Sequence, residues 1–205
     1  MRDFPIDKEL KELWGNGLDQ EVRRSAIAFF LVMLIICIAA LLLPELREHA
    51  MDRIFALMTG KDLMTPEGDI SFLALFSNNM TACIFVMLYG LLPFVRLSAL
   101  ELGLNAALMG VLAAYSITEG TLLAFVMGVV PHGIFELPAL FLAFGMGLFV
   151  CGQLTRRCKK DKSAYSLLDC LTLTSKLLFL VLVPLLLLAA AVEAWITPAV
   201  MMLFQ

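Results

Sequence analysis

A run of 19 residues without a charge most constrains what this chain can fold into. The run, SAIAFFLVMLIICIAALLL, extends from Ser25 to Leu43. A helix needs about 20 apolar residues to cross the roughly 30 Å of hydrocarbon in a bilayer. A long polar segment precedes the run and no small-residue cleavage site follows it, which argues against a signal peptide. The run therefore predicts a retained first membrane span.

Four further apolar blocks lie at about 70–95, 97–115, 120–152 and 176–195. The block at 120–152 is too long for one straight span and contains Pro131 and Gly133. Proline removes a backbone donor and glycine relaxes a helix, so we expect a break there, giving either a half-helix that dips into the bilayer or a long bent fourth helix. The sequence thus predicts an all-α integral membrane helical bundle of about five transmembrane helices, a single domain over 1–205, with a broken fourth segment at Pro131–Gly133.

The composition agrees with a membrane protein. Hydrophobic residues make up 61% of the 205 residues and charged residues 16%, against about 25% charged residues in soluble domains. A soluble chain of this length cannot hide so much apolar surface. Soluble enzyme domains, disordered proteins and nucleic-acid binders with a basic face are excluded, and the lipid bilayer is the expected partner.

Basic residues orient the predicted spans, because they concentrate on the cytoplasmic side. A cytoplasmic N-terminus places Arg23, Arg24, Arg96 and the basic run 156–162 on the inside. The segment 45–69, with six acidic and three basic residues, then lies outside. We expect a multi-pass protein of the cell (inner) membrane with an extracytoplasmic C-terminus.

Two segments outside the spans show helical spacing of apolar residues. In the cytoplasmic segment 1–24 the apolar residues are Leu10, Leu13, Trp14 and Leu18, which predicts an interfacial helix on the bilayer surface. In the extracytoplasmic segment 45–69 they are Leu46, Ala50, Ile54 and Met58. This spacing predicts an amphipathic helix over about 45–58.

Ionisable groups at membrane depth are costly and are therefore functional candidates. His132 and Glu136 are four residues apart, so they share one helix face. They suit a proton relay, an ion site or half of a metal site, or they simply lock helices together by hydrogen bonds. Zinc takes three or four ligands, and the one other histidine, His49, lies in the segment 45–69. A zinc site would need carboxylates from other helices, so we predict no metal and no cofactor.

Further polar residues accompany this pair. Glu101, Asn79 and Asn105 lie within the predicted second and third spans. Either they join His132 and Glu136 in a buried polar cluster or they serve simple packing. Asn78 and Glu193 lie near the outer ends of spans, where a polar group can reach water.

Small residues recur every three or four positions in the third and fourth blocks, at Ala99, Gly103, Ala107, Gly110 and Ala114 and at Ala139, Ala143, Gly147 and Cys151. Such stripes allow close packing of helices, either inside the bundle or in a homodimer. The nucleophile-elbow, zinc-protease, P-loop and dinucleotide-binding motifs are absent from the sequence, so we expect no enzyme and no catalytic residue.

Three segments carry a resemblance to a known family. They are GVVPHGIFELPA at 128–139, LFSNN at 75–79 and AVEAWITP at 191–198. Together they resemble the stage II sporulation protein M family of bacterial and archaeal membrane proteins, over about 20–200. The family often has Asn-Gly where this chain has Asn105 and Ala106.

The resemblance implies a multi-span inner-membrane protein without an established enzymatic activity. The family's namesake is understood to act during forespore engulfment as an anchor for two peptidoglycan-degrading partners, the stage II sporulation proteins D and P. We therefore expect a non-enzymatic scaffold that engages such hydrolases through 45–69. The alternative is a small transporter or channel-like protein with a pathway through Glu101, Asn105, His132 and Glu136.

Overall fold

The computed structural model describes residues 5–58 and 71–202, and within these two ranges it contains helices and no strand. Five stretches are long and apolar enough to cross a membrane, which confirms the predicted all-α membrane bundle. The helices are α1 (Pro5–Leu13), α2 (Asp19–Leu42), α3 (Pro44–Met58), α4 (Phe72–Tyr89), α5 (Leu97–Thr118), α6 (Leu122–Cys158), α7 (Leu167–Leu177), α8 (Val183–Ala191) and α9 (Thr197–Met202). The last three follow one another in a single apolar stretch, Leu167–Val200, which we call the last span.

The fourth span is one uninterrupted helix, so the break expected at Pro131–Gly133 is not present. The helix α6 has 37 residues, contains Pro131 and Pro138, and is about 55 Å long at 1.5 Å per residue. A proline deletes one backbone hydrogen bond, whereas leaving the helix inside a membrane would expose several unpaired backbone groups. The long fourth helix, one of the two forms left open by the sequence, is therefore what the chain adopts.

The helix α6 is the centre of the bundle and contacts α2, α4, α5 and α8. Its stripe of small residues is buried, with Ala139 and Ala143 at 0% exposure. Gly147 approaches so closely that an added Cβ would lie 2.5 Å from Val86 O and from Ser98 Oγ. Those two atoms are joined by a hydrogen bond of 2.8 Å. This stripe therefore serves packing inside the bundle.

The stripe on α5 divides between two environments. Gly110 and Ala114 are buried, and an added Cβ at Gly110 would lie 2.5 Å from Met33 O on α2. Ala99 is exposed, and Gly103 has no atom of another element within 4 Å of such a Cβ. The inner part of this stripe packs on α2, and a homodimer through the outer part stays a prediction.

The N-terminal segment is helical as expected, but its apolar face turns into the protein. The chain kinks between α1 and α2, where Gly17 has φ +112°. Leu13 and Leu18 on either side are 1% exposed and belong to the main core, while Trp14 stays exposed. The expectation that the leucines lie on the bilayer surface is wrong, because the kink folds α1 back against α7.

The helix α3 confirms the amphipathic helix predicted from about 45 to 58. Met51 and Ile54 are buried and pack against Val111 of α5. The remainder of the predicted segment, 59–69, lies outside the described residues.

The last span begins at Leu167, nine residues before the predicted start. A capping box explains this start: the Ser166 hydroxyl accepts from Asp169 N, and the Asp169 carboxylate accepts from Ser166 N. Such reciprocal bonds satisfy two otherwise unpaired donors at a helix N-terminus. The charged Asp169 therefore belongs to the helix, although the apolar block in the sequence begins only at about 176.

Two π-helical turns interrupt the α-helical pattern of the last span, at Leu178–Leu182 and Val192–Ile196. Each is followed two residues later by a proline, Pro184 and Pro198 respectively. A proline cannot donate to the carbonyl four residues earlier, and membrane helices adapt through local π turns. The two prolines thus account for where the turns lie.

The connection between α6 and α7 is held by charged hydrogen bonds. Arg156 Nε donates to Asp161 Oδ2 at 2.8 Å, and the Ser163 hydroxyl donates to Asp161 Oδ1 at 2.6 Å. The bonds from Ser163, followed by the one from Arg156, lower the pKa of Asp161 from 3.8 to about 2. Asp161 is therefore a fixed negative charge within the basic run.

Candidate functional site

Three ionisable side chains from two spans meet at one place in the bundle. His132 and Glu136 lie one turn apart on α6, with His132 Nε2 3.7 Å from Glu136 Oε2. Glu193 of the last span completes the group, and one potential ligand atom from each residue lies within 4.8 Å of the others. We call these three residues the His-Glu-Glu cluster.

Glu193 reaches the cluster from the π-helical turn Val192–Ile196. The wide turn closes with a hydrogen bond from Thr197 N to Val192 O. An extra residue in one turn rotates the following side chains by about 100° relative to a regular α-helix. π turns in α-helices often occur at functional sites, and here one carries a ligand-type side chain.

The cluster lies near one end of the spans. Glu136 is 20 residues from Arg156, which corresponds to about 30 Å of helix, the thickness of the hydrocarbon. Trp195, two residues from Glu193, stacks on Phe72 at the first residue of α4, with ring centroids 5.4 Å apart. Aromatic rings and helix ends of this kind mark the membrane boundary. The cluster therefore lies about one hydrocarbon thickness along α6 from the basic run.

The side chains in the cluster are half-buried. His132 and Glu136 retain 14% and 27% of their side-chain exposure. The ligand oxygens of the two carboxylates lie no more than 4.8 Å apart, and two negative charges at that distance would repel by about 3.5 kcal/mol at an effective dielectric constant of about 20. A proton or a cation shared between them relieves that repulsion.

The imidazole of His132 is only partly satisfied by the protein. Its Nδ1 atom is buried and has no hydrogen-bond partner among the described residues. A buried polar atom without a partner costs about 1–3 kcal/mol. The ring is therefore held in a place where its hydrogen-bonding capacity is not used by the fold.

The other predicted polar residues are not all brought to this cluster. The Asn105 amide donates to Glu101 O, one turn earlier on α5, at 3.0 Å. Glu101 and Asn78 line a separate groove of about 450 Å³ between α4 and α5. The predicted single set of membrane polar residues is thus divided between two places.

Asn79 lies on the buried side of α4. It is one turn from Cys83, which is buried in the main core, and residues four apart share a helix face. Its Oδ1 atom accepts a hydrogen bond of 3.3 Å from Asn78.

Pro131 and Gly133 flank His132 without breaking the helix. A Cβ added at Gly133 would meet Val129 and Leu137 side chains at ordinary distances of 3.7 and 3.9 Å. The helix therefore continues through both residues, and they hold the backbone on either side of His132.

Sequence reasoning placed Glu193 at the membrane boundary and did not join it to His132. The pairing is a contact between residues 61 positions apart, which no periodicity within one helix can reveal. The available signal was Pro198, five residues after Glu193, because a proline predicts a local irregularity in a helix. Such an irregularity changes the direction of nearby side chains, including that of Glu193.

Comparison with known proteins agrees with the resemblance seen in the sequence. No curated protein and no solved structure matches the chain. A family model described as Stage II sporulation protein M (SpoIIM) matches residues 25–198, which include all three residues of the His-Glu-Glu cluster. The chain belongs to the stage II sporulation protein M family.

Proposed function

We propose that the chain is a non-enzymatic scaffold of the inner membrane that recruits extracytoplasmic peptidoglycan-degrading proteins. Membership of the stage II sporulation protein M family supports a sporulation-related membrane protein. By resemblance, the partners are the stage II sporulation proteins D and P. In this proposal the α3 side of the bundle is extracytoplasmic, because Arg96 and the basic run 156–162 lie at the opposite ends of the spans.

The observation that carries the proposal is the anchoring of α3. Met51 and Ile54 fix one face of α3 on the bundle. The opposite face is exposed and carries Glu45, Glu48 and Asp52 at spacings of three and four residues, so their carboxylates form one stripe.

A fixed helix with an exposed stripe of charge is suited to binding another protein. Leu46 and Phe55, both about half exposed, add apolar contact area next to the acidic stripe. Charge complementarity steers association and suppresses wrong partners. The proposed partner surface is therefore basic, with an apolar spot that receives Phe55.

The test is co-purification of tagged full-length protein with the two hydrolases from membranes. The triple variant Glu45→Lys, Glu48→Lys, Asp52→Lys reverses the stripe, and we expect it to lose at least tenfold in hydrolase recovered. Glu119→Lys is the matched control, because Glu119 is an exposed acidic residue outside α3 on the same side. Equal recovery by the wild type and the triple variant would refute docking on α3.

A second candidate function is transport of a small polar solute or a proton. It is favoured by the groove between α4 and α5, where Ser77, Thr81 and Glu101 bring polar groups into two spans. In proteoliposomes this function requires solute or proton flux that Glu101→Gln reduces and Glu119→Gln leaves unchanged. The absence of any flux above protein-free vesicles would exclude this candidate for the species measured.

A further inference from the structure

We propose that His132, Glu136 and Glu193 bind a divalent transition-metal ion of the zinc type, which ties α6 to the last span at the membrane boundary. The site is independent of the scaffold proposal. It rests on the meeting of three ligand-type side chains from two spans.

The ligand types fit zinc. Zinc sites in proteins use histidine nitrogen and carboxylate oxygen at about 2.0–2.2 Å, often three protein ligands and a water in a tetrahedral arrangement. Magnesium and calcium prefer sites made entirely of oxygen with more ligands. An imidazole between two carboxylates therefore selects a transition metal.

The distances fit as well. Tetrahedral bonds of about 2.0–2.2 Å place neighbouring ligand atoms about 3.3–3.6 Å apart. His132 Nε2 and Glu136 Oε2 are 3.7 Å apart, and all three ligand atoms lie within 4.8 Å. A small rotation of the Glu193 carboxylate closes the remaining distance, and the π-helical turn Val192–Ile196 already directs this residue to the site.

The charge of the site also favours a divalent ion. Two carboxylates and a neutral imidazole carry two negative charges, which one divalent cation balances. The resulting neutral centre suits the edge of the hydrocarbon, where net charge is costly. The residual exposure of His132 and Glu136 leaves both side chains partly accessible from outside the bundle.

The test uses the full-length protein in detergent, stripped with a chelator and dialysed against Zn²⁺. We expect about one bound zinc per chain by elemental analysis and a rise in melting temperature that saturates with zinc. Glu193→Gln keeps the size and a hydrogen-bonding group but removes the anionic ligand. It should weaken zinc binding at least tenfold, since even the partners of zinc ligands contribute about 10–100-fold.

Matched controls separate this site from other zinc ligands on the chain. His49→Gln removes the other histidine and Glu101→Gln removes a carboxylate from the α4–α5 groove, and both should bind zinc as the wild type does. Glu193→His supplies a different zinc ligand at the same position and should restore binding lost in Glu193→Gln.

Three outcomes would overturn the proposal. One is a wild-type protein that retains no more zinc than Glu193→Gln. Another is equal stabilisation by Mg²⁺ and Zn²⁺ at the same concentration. The third is loss of zinc in His49→Gln to the same degree as in Glu193→Gln. Melting curves recorded with chelator show whether each variant is folded before zinc is added. If Glu193→Gln is not folded, Glu136→Gln replaces it, because this variant also removes one anionic ligand and should weaken zinc binding at least tenfold.

Discussion

The contact around Gly147 allows a quantitative prediction for Gly147→Ala. The new methyl group would lie 2.5 Å from both Ser98 Oγ and Val86 O. It therefore meets the donor and the acceptor of the hydrogen bond that joins the start of α5 to the end of α4. Neither atom has room to move freely, because Ser98 is 1% exposed and Val86 2% exposed.

The expected cost follows from three contributions. Overpacking a close helix contact costs about 1–3 kcal/mol, and loss of the Ser98–Val86 hydrogen bond about 0.5–1.5 kcal/mol. Alanine gains at most about 1 kcal/mol over glycine in helix propensity. With the full gain in helix propensity, we expect a net loss of about 0.5–3.5 kcal/mol, or a fall in melting temperature of about 1–14 °C for a chain of this length.

The assay is thermal unfolding in detergent, followed by the reaction of buried thiols with a fluorescent maleimide. Cys83 and Cys170 are 1% and 0% exposed, so they react when tertiary packing is lost. Gly152→Ala is the matched control on α6, since no atom of another element lies within 4 Å of a Cβ there. A melting temperature for Gly147→Ala that is no lower than that of Gly152→Ala would refute the close-contact argument.

Three further predictions concern Asp161, Gly17 and Lys176. For Asp161→Asn, the free energy of unfolding should depend less on pH below about 4. The pKa of Asp161 is lowered, so its stabilising contribution is present above pH 3.8 and is lost as the pH falls through about 2. Melting temperatures recorded between these pH values check this, and an equal change of melting temperature with pH in variant and wild type would contradict it. Gly17→Ala should lower the free energy of unfolding by about 1–2 kcal/mol, because φ is +112° at this position. Gly15→Ala is the control and should not lower it, so equal melting temperatures for the two variants would count against the kink. Lys176→Met should lower the free energy of unfolding by less than about 1 kcal/mol, because the ion pair of Lys176 with Glu9 is partly exposed. A double-mutant cycle with Glu9→Gln measures the coupling energy of the pair, and a larger value would contradict this prediction.

The spans were predictable because each is a continuous apolar stretch and the bilayer fixes its length. The errors come from residues whose effect depends on surroundings. Pro131 predicted a break by its local chemistry, but the membrane penalises unpaired backbone more than one missing hydrogen bond. Leu13 and Leu18 were assigned to the bilayer surface, since nothing in a single helix face distinguishes lipid from a neighbouring helix.

The candidate site was half predictable. His132 and Glu136 share a face by spacing alone, so their pairing was expected and is observed at 3.7 Å. Glu193 joins them through a turn whose extra residue shifts the helical register, and register shifts leave only an indirect trace in sequence. Glu101 and Asn105 were grouped with the pair because they are polar residues within predicted spans, but this does not specify which side of a helix faces which neighbour.

The central position of α6 has a consequence for biogenesis. Its neighbours α2, α4 and α5 precede it in the chain, while α8 follows. During synthesis, α2, α4 and α5 can pack together before α6 is made. The face of α6 that contacts α8 is then covered by lipid until the last span inserts. A chain stopped after Cys158 would leave that face of α6 without its protein neighbour. Insertion of the last span is therefore the step that completes the packing around α6.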